Sequence, residues 1–186
     1  MKKLSALFLL ISATLLPATQ TLAQPESGFG LFGGVARHKS EVALPGLPFS
    51  FDSSGVSIGV DWQIAIGDSF SINPIFMTSS ETVSGDVTGT ATHSILGVSF
   101  RFWIGELFLG PHVGAYSETV ELESIFGIPA SGEVTSTGSG GGIAIGWEAE
   151  NGFLLMFQYD TATLEDDGGV ETDLTGFRLQ AGFRWK

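Results

Sequence analysis

The chain has 186 residues, no cysteine, 26 glycines, 15% charged and 11% aromatic residues, and a formal net charge of −12. Without cysteine there are no disulfides, thiolate metal sites or thiol nucleophiles, and the acidic balance excludes a nucleic-acid-binding surface, which needs a basic stripe to neutralise phosphates. Few charges beside many aromatic residues and glycines is a poor profile for a soluble helical protein and fits an all-β protein that exposes apolar surface to something other than water.

Residues 1–23 carry the three parts of a secretory signal: Lys2 and Lys3, the apolar run Leu7 to Leu16, and Thr21-Leu22-Ala23 as a cleavage site before Gln24. The run is shorter than the ~20 residues of a membrane-spanning helix. The expected mature domain is residues 24–186, exported without a helical anchor, with six Lys and Arg against 20 Asp and Glu.

From Gln24 onward the dominant period is two, the mark of strands with unlike faces. Eight such segments follow in order. Phe29, Leu31 and Val35 alternate with Gly30 and Gly34. Val56, Ile58, Val60, Trp62 and Ile64 alternate with Ser57, Gly59, Asp61 and Gln63. Phe70, Ile72, Pro74 and Phe76 oppose Ser71 and Asn73; Leu96, Val98, Phe100 and Phe102 oppose Gly97, Ser99 and Arg101. Leu107, Leu109 and Val113 oppose Gly110, His112 and Gly114, and Ile143, Ile145 and Trp147 oppose Gly142, Ala144 and Glu148. Phe153, Leu155, Phe157 and Tyr159 oppose Met156, Gln158 and Asp160. The last segment sets Phe177, Leu179, Ala181, Phe183 and Trp185 against Arg178, Gln180, Gly182 and Arg184. Pro74 and Pro111 lie inside predicted strands, where a closed barrel has no edge to host them; a bulge at either would shift the facing beyond it.

The links alternate as well. Those at Gly67-Asp68, Gly105-Glu106 and Glu150-Asn151-Gly152 are short, the second a two-residue hairpin and the third a three-residue turn with glycine in the left-handed position. Residues 39–53, 79–91, 117–136 and 164–172 read as long polar loops. Short turns at one end and long loops at the other are the arrangement of an eight-stranded antiparallel up-and-down transmembrane β-barrel with its long loops outside the cell.

Two features point the apolar face outward. The polar face is rich in Gly and Ser, as a narrow eight-stranded interior requires, and its charges match three to three: Asp61, Glu148 and Asp160 against Arg101, Arg178 and Arg184. The four tryptophans, Trp62, Trp103, Trp147 and Trp185, with Phe70, Phe102, Phe108, Phe153 and Phe183, gather near the short turns or the last residues, where they read as a periplasmic aromatic girdle.

These alternating strands, closed by Phe177-x-Leu179-x-Ala181-x-Phe183-x-Trp185, resemble the small eight-stranded outer-membrane proteins of the OmpX-like and OmpA-barrel group over the whole of residues 24–186. The resemblance implies a bacterial outer-membrane location among lipid and lipopolysaccharide, and it implies that the terminal pattern is read by the barrel-assembly machinery.

The chemistry sought is mostly missing. Gly28-Phe29-Gly30-Leu31-Phe32-Gly33 has the letters of a dinucleotide fingerprint but opens no helix. His38, His93 and His112 fall on different segments without zinc-ligand spacing. A lipid A-modifying hydrolase would need His-x-Ser beside an acid on the lipid face, whereas His93 and Ser94 are adjacent and point opposite ways. Glu165-Asp166-Asp167-Gly168-Gly169 lacks the alternating ligands of a calcium loop and reads as a charged hairpin end. The expectation is therefore no catalytic residue, cofactor or metal. Glu118, Glu121, Glu123, Glu133, Asp86, Glu171 and Asp173 crowd the outer surface, where divalent cations bridging lipopolysaccharide are expected to be shared. Asp160 and Arg178, equidistant from position 169, are expected directly opposite as a buried pair closing the lumen. Val120, Leu122, Ile125, Phe126 and Ile128 form either a contact element for an extracellular partner or a pack over the barrel mouth. The leading role is a non-enzymatic envelope or surface-interaction barrel. The alternative is a narrow channel or conduit for small solutes, for which the glycine-rich first and sixth strands leave room.

Overall fold

Period-two patterning on this scale closes on itself. The computed structural model describes residues 25–44, 46 and 48–186; the signal segment and its cleavage site lie outside the described residues. Eight strands follow in chain order: β1 (Gly28–Val42), β2 (Phe49–Ala65), β3 (Phe70–Gly85), β4 (Val87–Ile104), β5 (Leu107–Ile125), β6 (Ile128–Glu148), β7 (Phe153–Asp166) and β8 (Glu171–Trp185). Each pairs antiparallel with the next, and β8 returns to β1 to complete a closed barrel. Among the described residues there is no helix.

The short turns use glycine where the backbone must turn left. Gly105 takes φ 63° between Ile104 and Leu107, which face each other across the two-residue turn, as the first central position of a II′ hairpin requires. At the other end the segments read as long loops are strand almost to their tips. β2 runs up to Phe49, β3 and β4 meet around Asp86, β5 and β6 meet at Phe126-Gly127, and β7 and β8 at residues 167–170. The long polar loops are thus hairpin extensions. In the last of them the Asp166 carboxylate accepts the Gly168 and Val170 amides, both at 2.8 Å, so part of the acidic run serves the turn itself.

Neither proline bends its strand. The β2–β3 ladder breaks off at Asp61↔Ile75 and resumes at Ile64↔Ile72, and the β4–β5 ladder breaks at Ser99↔His112 and resumes at Phe102↔Leu109. Register is the same on both sides of each gap, so the missing donor costs a local opening and facing is preserved. The irregularities lie higher, at Thr88/Gly89 and Leu122/Ser124.

The outward face divides into two zones. Next to the short turns it is apolar on every strand: Leu31 and Val35, Ile58 and Val56, Phe76, Leu96, Val113, Ile143, Phe157, Leu179 and their neighbours. Above that belt it turns polar on all eight, through Lys39, Ser54, Thr82, Thr92, Thr119, Thr137, Thr163 and Thr175. A belt of about nine residues rising ~3.3 Å each at a tilt of ~40° spans roughly 23 Å, close to the ~25 Å apolar band of outer-membrane barrels. The upper collar is therefore built to stand in water.

Candidate functional site

The lumen is filled in layers, and the filling decides what the barrel can do. At the level of the short turns Asp61 takes Arg101 at 2.7 Å and Arg184 in a forked pair at 2.7 and 3.1 Å, while Arg184 Nε donates to Glu148 at 2.9 Å. Trp103 and Phe108, placed by their position in the sequence with the girdle, instead point inward. The Trp103 indole donates to Ser71 Oγ at 3.0 Å, and the Arg101 guanidinium lies 4.6 Å over the Phe108 ring, a cation–π contact in a dry setting. Facing, not distance from a turn, decides this: Trp103 shares parity with Arg101, and Phe108 with His112. The other aromatic residues assigned to the girdle do ring the outside. Trp62, Phe102, Phe153, Phe183 and Trp185 are exposed and Phe70 and Trp147 half-buried, with Phe70 on Phe102, Trp147 on Phe153 and Phe183 on Trp185.

In the middle layer Asp160 is the hub. It accepts His112 Nε2 at 2.7 Å, Tyr116 Oη at 3.1 Å, Gln158 Nε2 at 2.7 Å and the Arg178 guanidinium. The pair is diagonal, not directly opposite: Asp160 faces Gly176, and Arg178 faces Gln158. The hairpin turns one residue earlier than position 169, and the long Arg178 side chain spans the offset.

Inward glycines leave no bore. A side chain at Gly30 on β1 would meet Asp61 and Arg184, and on β6 one at Gly142 would meet His112 and one at Gly146 would meet Phe108. The room they release is taken by a large neighbour, which is why the glycine-rich strands do not widen the lumen.

The upper layer holds groups that the sequence left in loops. Glu81 and Glu118 are 1% and 3% exposed, so Glu118 is not part of the acidic outer surface. Glu81 accepts His38 Nδ1 at 2.7 Å, Ser53 Oγ at 2.7 Å and Ser79 Oγ at 2.5 Å. His93 lies with Nε2 3.2 Å from Ser53 Oγ and Nδ1 3.6 Å from Glu118 Oε1, and Ser40 donates to Glu118 at 2.6 Å. This has the outline of a serine–histidine–acid set. The single Ser53 proton goes to Glu81, however, so His93 is not placed as its base. Ser94, the neighbour of His93, sits on the outer face against Thr78 Oγ1 at 3.1 Å.

Above this cluster the lumen turns apolar. Phe51, Val83, Val87, Ala91 and Val120 are buried together, with Val42, Phe49 and Leu122 packed against them. A cavity of about 340 Å³ opens here, lined by Phe49, Phe51, Val120, Leu122, Ile125 and Phe126 among others and by the Glu118 carboxylate. Val120, Leu122 and Ile125 of the third outer hairpin therefore pack over the mouth with Phe126 at its edge, 50% exposed, while Ile128, 69% exposed, points away. Around the mouth Asp86, Glu121, Glu123, Glu133, Glu171 and Asp173 stay in solvent.

The signal for the missed luminal groups was present as parity: Ser71, Asn73, Ser79, Glu81 and Val83 all carry odd numbers on one strand and all face inward.

The barrel superposes on Ail, the attachment invasion locus protein of Yersinia pestis, with a TM-score of 0.56 at 20% identity over 87% of this chain and 100% of that one. It superposes on Neisserial surface protein A with a TM-score of 0.56 at 15% identity over 85% and 96%. One Ail structure is a complex with the heparin analogue sucrose octasulfate. No protein-family model matches the chain, and a search of curated proteins returns no match. The fold is that of the small eight-stranded outer-membrane barrels.

Proposed function

We propose that the chain is a non-enzymatic integral protein of the bacterial outer membrane, exported by a cleaved signal at residues 1–23 and assembled by the barrel-assembly machinery. It is plugged to solutes and works through its outer end, stabilising the envelope or binding a partner. The observation that carries this reading is the lumen, blocked in turn by the Asp61–Arg101–Arg184–Glu148 cluster, the Asp160 hub and the His38–Glu81 layer. Eight strands enclose only enough space for side chains, and here side chains occupy it.

The partner chemistry follows from charge. Of the six Lys and Arg beyond residue 23, Arg101, Arg178 and Arg184 are buried and Lys186 lies by the short turns, leaving Arg37 and Lys39 near the outer end. Against the acidic tips, that balance favours cationic partners or divalent ions shared with lipopolysaccharide phosphates over the sulfated ligand that Ail holds. A second reading, uptake of small apolar solutes, is favoured by the mouth cavity but meets the polar layers beneath it.

The test is planar-bilayer conductance of the refolded residues 24–186, run beside heat-modifiable gel migration as proof of folding. Folded protein with a silent bilayer is the expected result. Steady, reproducible steps that change when Asp160 or Arg178 is neutralised would place the protein among channels.

A further inference from the structure

The lumen is not evenly balanced in charge. In its lower and middle layers three carboxylates, Asp61, Glu148 and Asp160, meet three guanidinium groups, Arg101, Arg178 and Arg184. In the upper layer the ionisable groups that face Glu81 and Glu118 are imidazoles; among the described residues no Lys or Arg lies within ion-pair distance of either. A buried carboxylate needs a counter-charge or a proton.

We propose that this layer binds one divalent transition-metal ion of the zinc class, held by His38, Glu81 and His93. The three come from β1, β3 and β4, and each offers a ligand atom within 4.8 Å of the others. Each is only 1% exposed. The His38 and His93 rings lie tilted with centroids 4.3 Å apart and planes 31° from parallel, which brings two nitrogen heterocycles together beside a carboxylate. Glu81 is fully satisfied by its neighbours, but the imidazoles are not: His38 Nε2 and His93 Nδ1 are buried with no hydrogen-bond partner among the described residues. Buried polar atoms in native proteins nearly always have one.

Imidazole nitrogen with carboxylate oxygen is a ligand set that zinc takes at about 2.0–2.2 Å, and nitrogen donors select such metals over calcium and magnesium. Tetrahedral bonds of that length put ligand atoms ~3.3 Å apart, so the widest separations close by up to ~1.5 Å around the ion. The ion binds neutral imidazole nitrogens and the ionised Glu81 carboxylate, and any proton held between them leaves to solvent. Water supplies the remaining position, and Ser53 and Glu118, on opposite nitrogens of His93, orient that ring. Glu118 also lines the mouth cavity, which gives the ion a route from outside. Gly176 fixes the geometry, since any side chain there would strike the His38 ring.

The test uses tag-free, refolded residues 24–186 stripped of metal, titrated with Co²⁺ and then Zn²⁺. The expected result is one Co²⁺ per barrel with the visible bands of a four-coordinate site, displaced by Zn²⁺, unaffected by excess Ca²⁺ or Mg²⁺, and weakened at least tenfold in both His38→Gln and His93→Gln. Unchanged affinity in those variants, or loss of binding in excess Ca²⁺, would assign the ion to the acidic rim and overturn the proposal, as would no binding at all. If a histidine variant does not reach the heat-modifiable folded form, X-ray absorption of the zinc-loaded natural chain decides. Two imidazoles bound to zinc support the site, and oxygen ligands alone overturn it.

Discussion

The Asp160–Arg178 pair gives the sharpest energetic test, because each partner has a different reserve. Asp160→Asn keeps the shape and removes the charge. Arg178 then has no counter-charge, since its Nε and Nη2 already lack a partner among the described residues and the ion pair with Asp160 is gone. Leaving a buried charge alone costs on the order of 3–5 kcal/mol. Arg178→Met removes the cation instead, and Asp160 retains His112, Tyr116 and Gln158. Hydrogen bonds to a charged group are each worth about 1.5–3 kcal/mol, so this variant is expected at or below 3 kcal/mol. In the double variant no charge is stranded, and buried pairs replaced together are often neutral. The double should therefore be no worse than Asp160→Asn alone, with a coupling of about 2 kcal/mol or more. The assay is equilibrium urea unfolding of the refolded barrel in phospholipid vesicles, followed by tryptophan fluorescence. Single-variant losses below about 1 kcal/mol with no coupling would mean a hydrated pair, as for exposed ion pairs, and would refute the claim that this layer is dry.

Two further outcomes follow from facing and from packing. Leu96→Arg, on the lipid belt at 67% exposure, is expected to destabilise the vesicle-bound barrel by ~2–4 kcal/mol. Thr92→Arg, four residues higher on the same face, should stay within about 0.5 kcal/mol, and equal effects would move the membrane boundary. Gly176→Ala, which presses a methyl group on the His38 ring and the Arg37 carbonyl, is expected to cost ~1–3 kcal/mol. Gly132→Ala meets nothing within 4 Å and should be neutral or slightly stabilising in the same unfolding assay.

The eight strands and their faces were legible because the outward residues in the lower half of every strand are apolar, against an inward face that mixes small and polar residues with a few large apolar ones such as Phe32, Met77 and Leu154. Prolines that break a ladder without a bulge leave that rule intact. The upper halves were not legible because there the hydrophobic phase inverts while the facing does not. On β3 the even residues Phe70, Ile72 and Phe76 are apolar and outward, but higher up the apolar residue is Val83, inward, and Thr82 is outward. On β4 the change runs from Leu96 outward to Ala91 and Val87 inward. A reader following apolar residues sees the period fade at the crossover and assigns a loop. Glu81 and Glu118 then pass for loop acids, although both hold the luminal parity of their strands. Trp103 and Phe108 fail for a different reason: nearness to a turn was allowed to outweigh parity.

That inversion is what the environment demands of a strand longer than the bilayer. Where the outer face meets lipid, the apolar residues must be outside, and the charges left in the lumen have to pair with one another, which those of the Asp61 and Asp160 clusters do. Once the strands rise above the belt, water replaces lipid, and the hydrophobic effect acts in its ordinary direction. Ser and Thr go out, and Phe51, Val83, Val87 and Val120 go in. The His38–Glu81–His93 layer lies at the crossover, sealed below by the ion-paired lumen and bordered above by the apolar cap, whose cavity reaches Glu118. Among the described residues it is a level where interior and exterior are both polar and no arginine is paired with the carboxylates. Chemistry with an outside cation is therefore favoured here over any deeper level of the barrel.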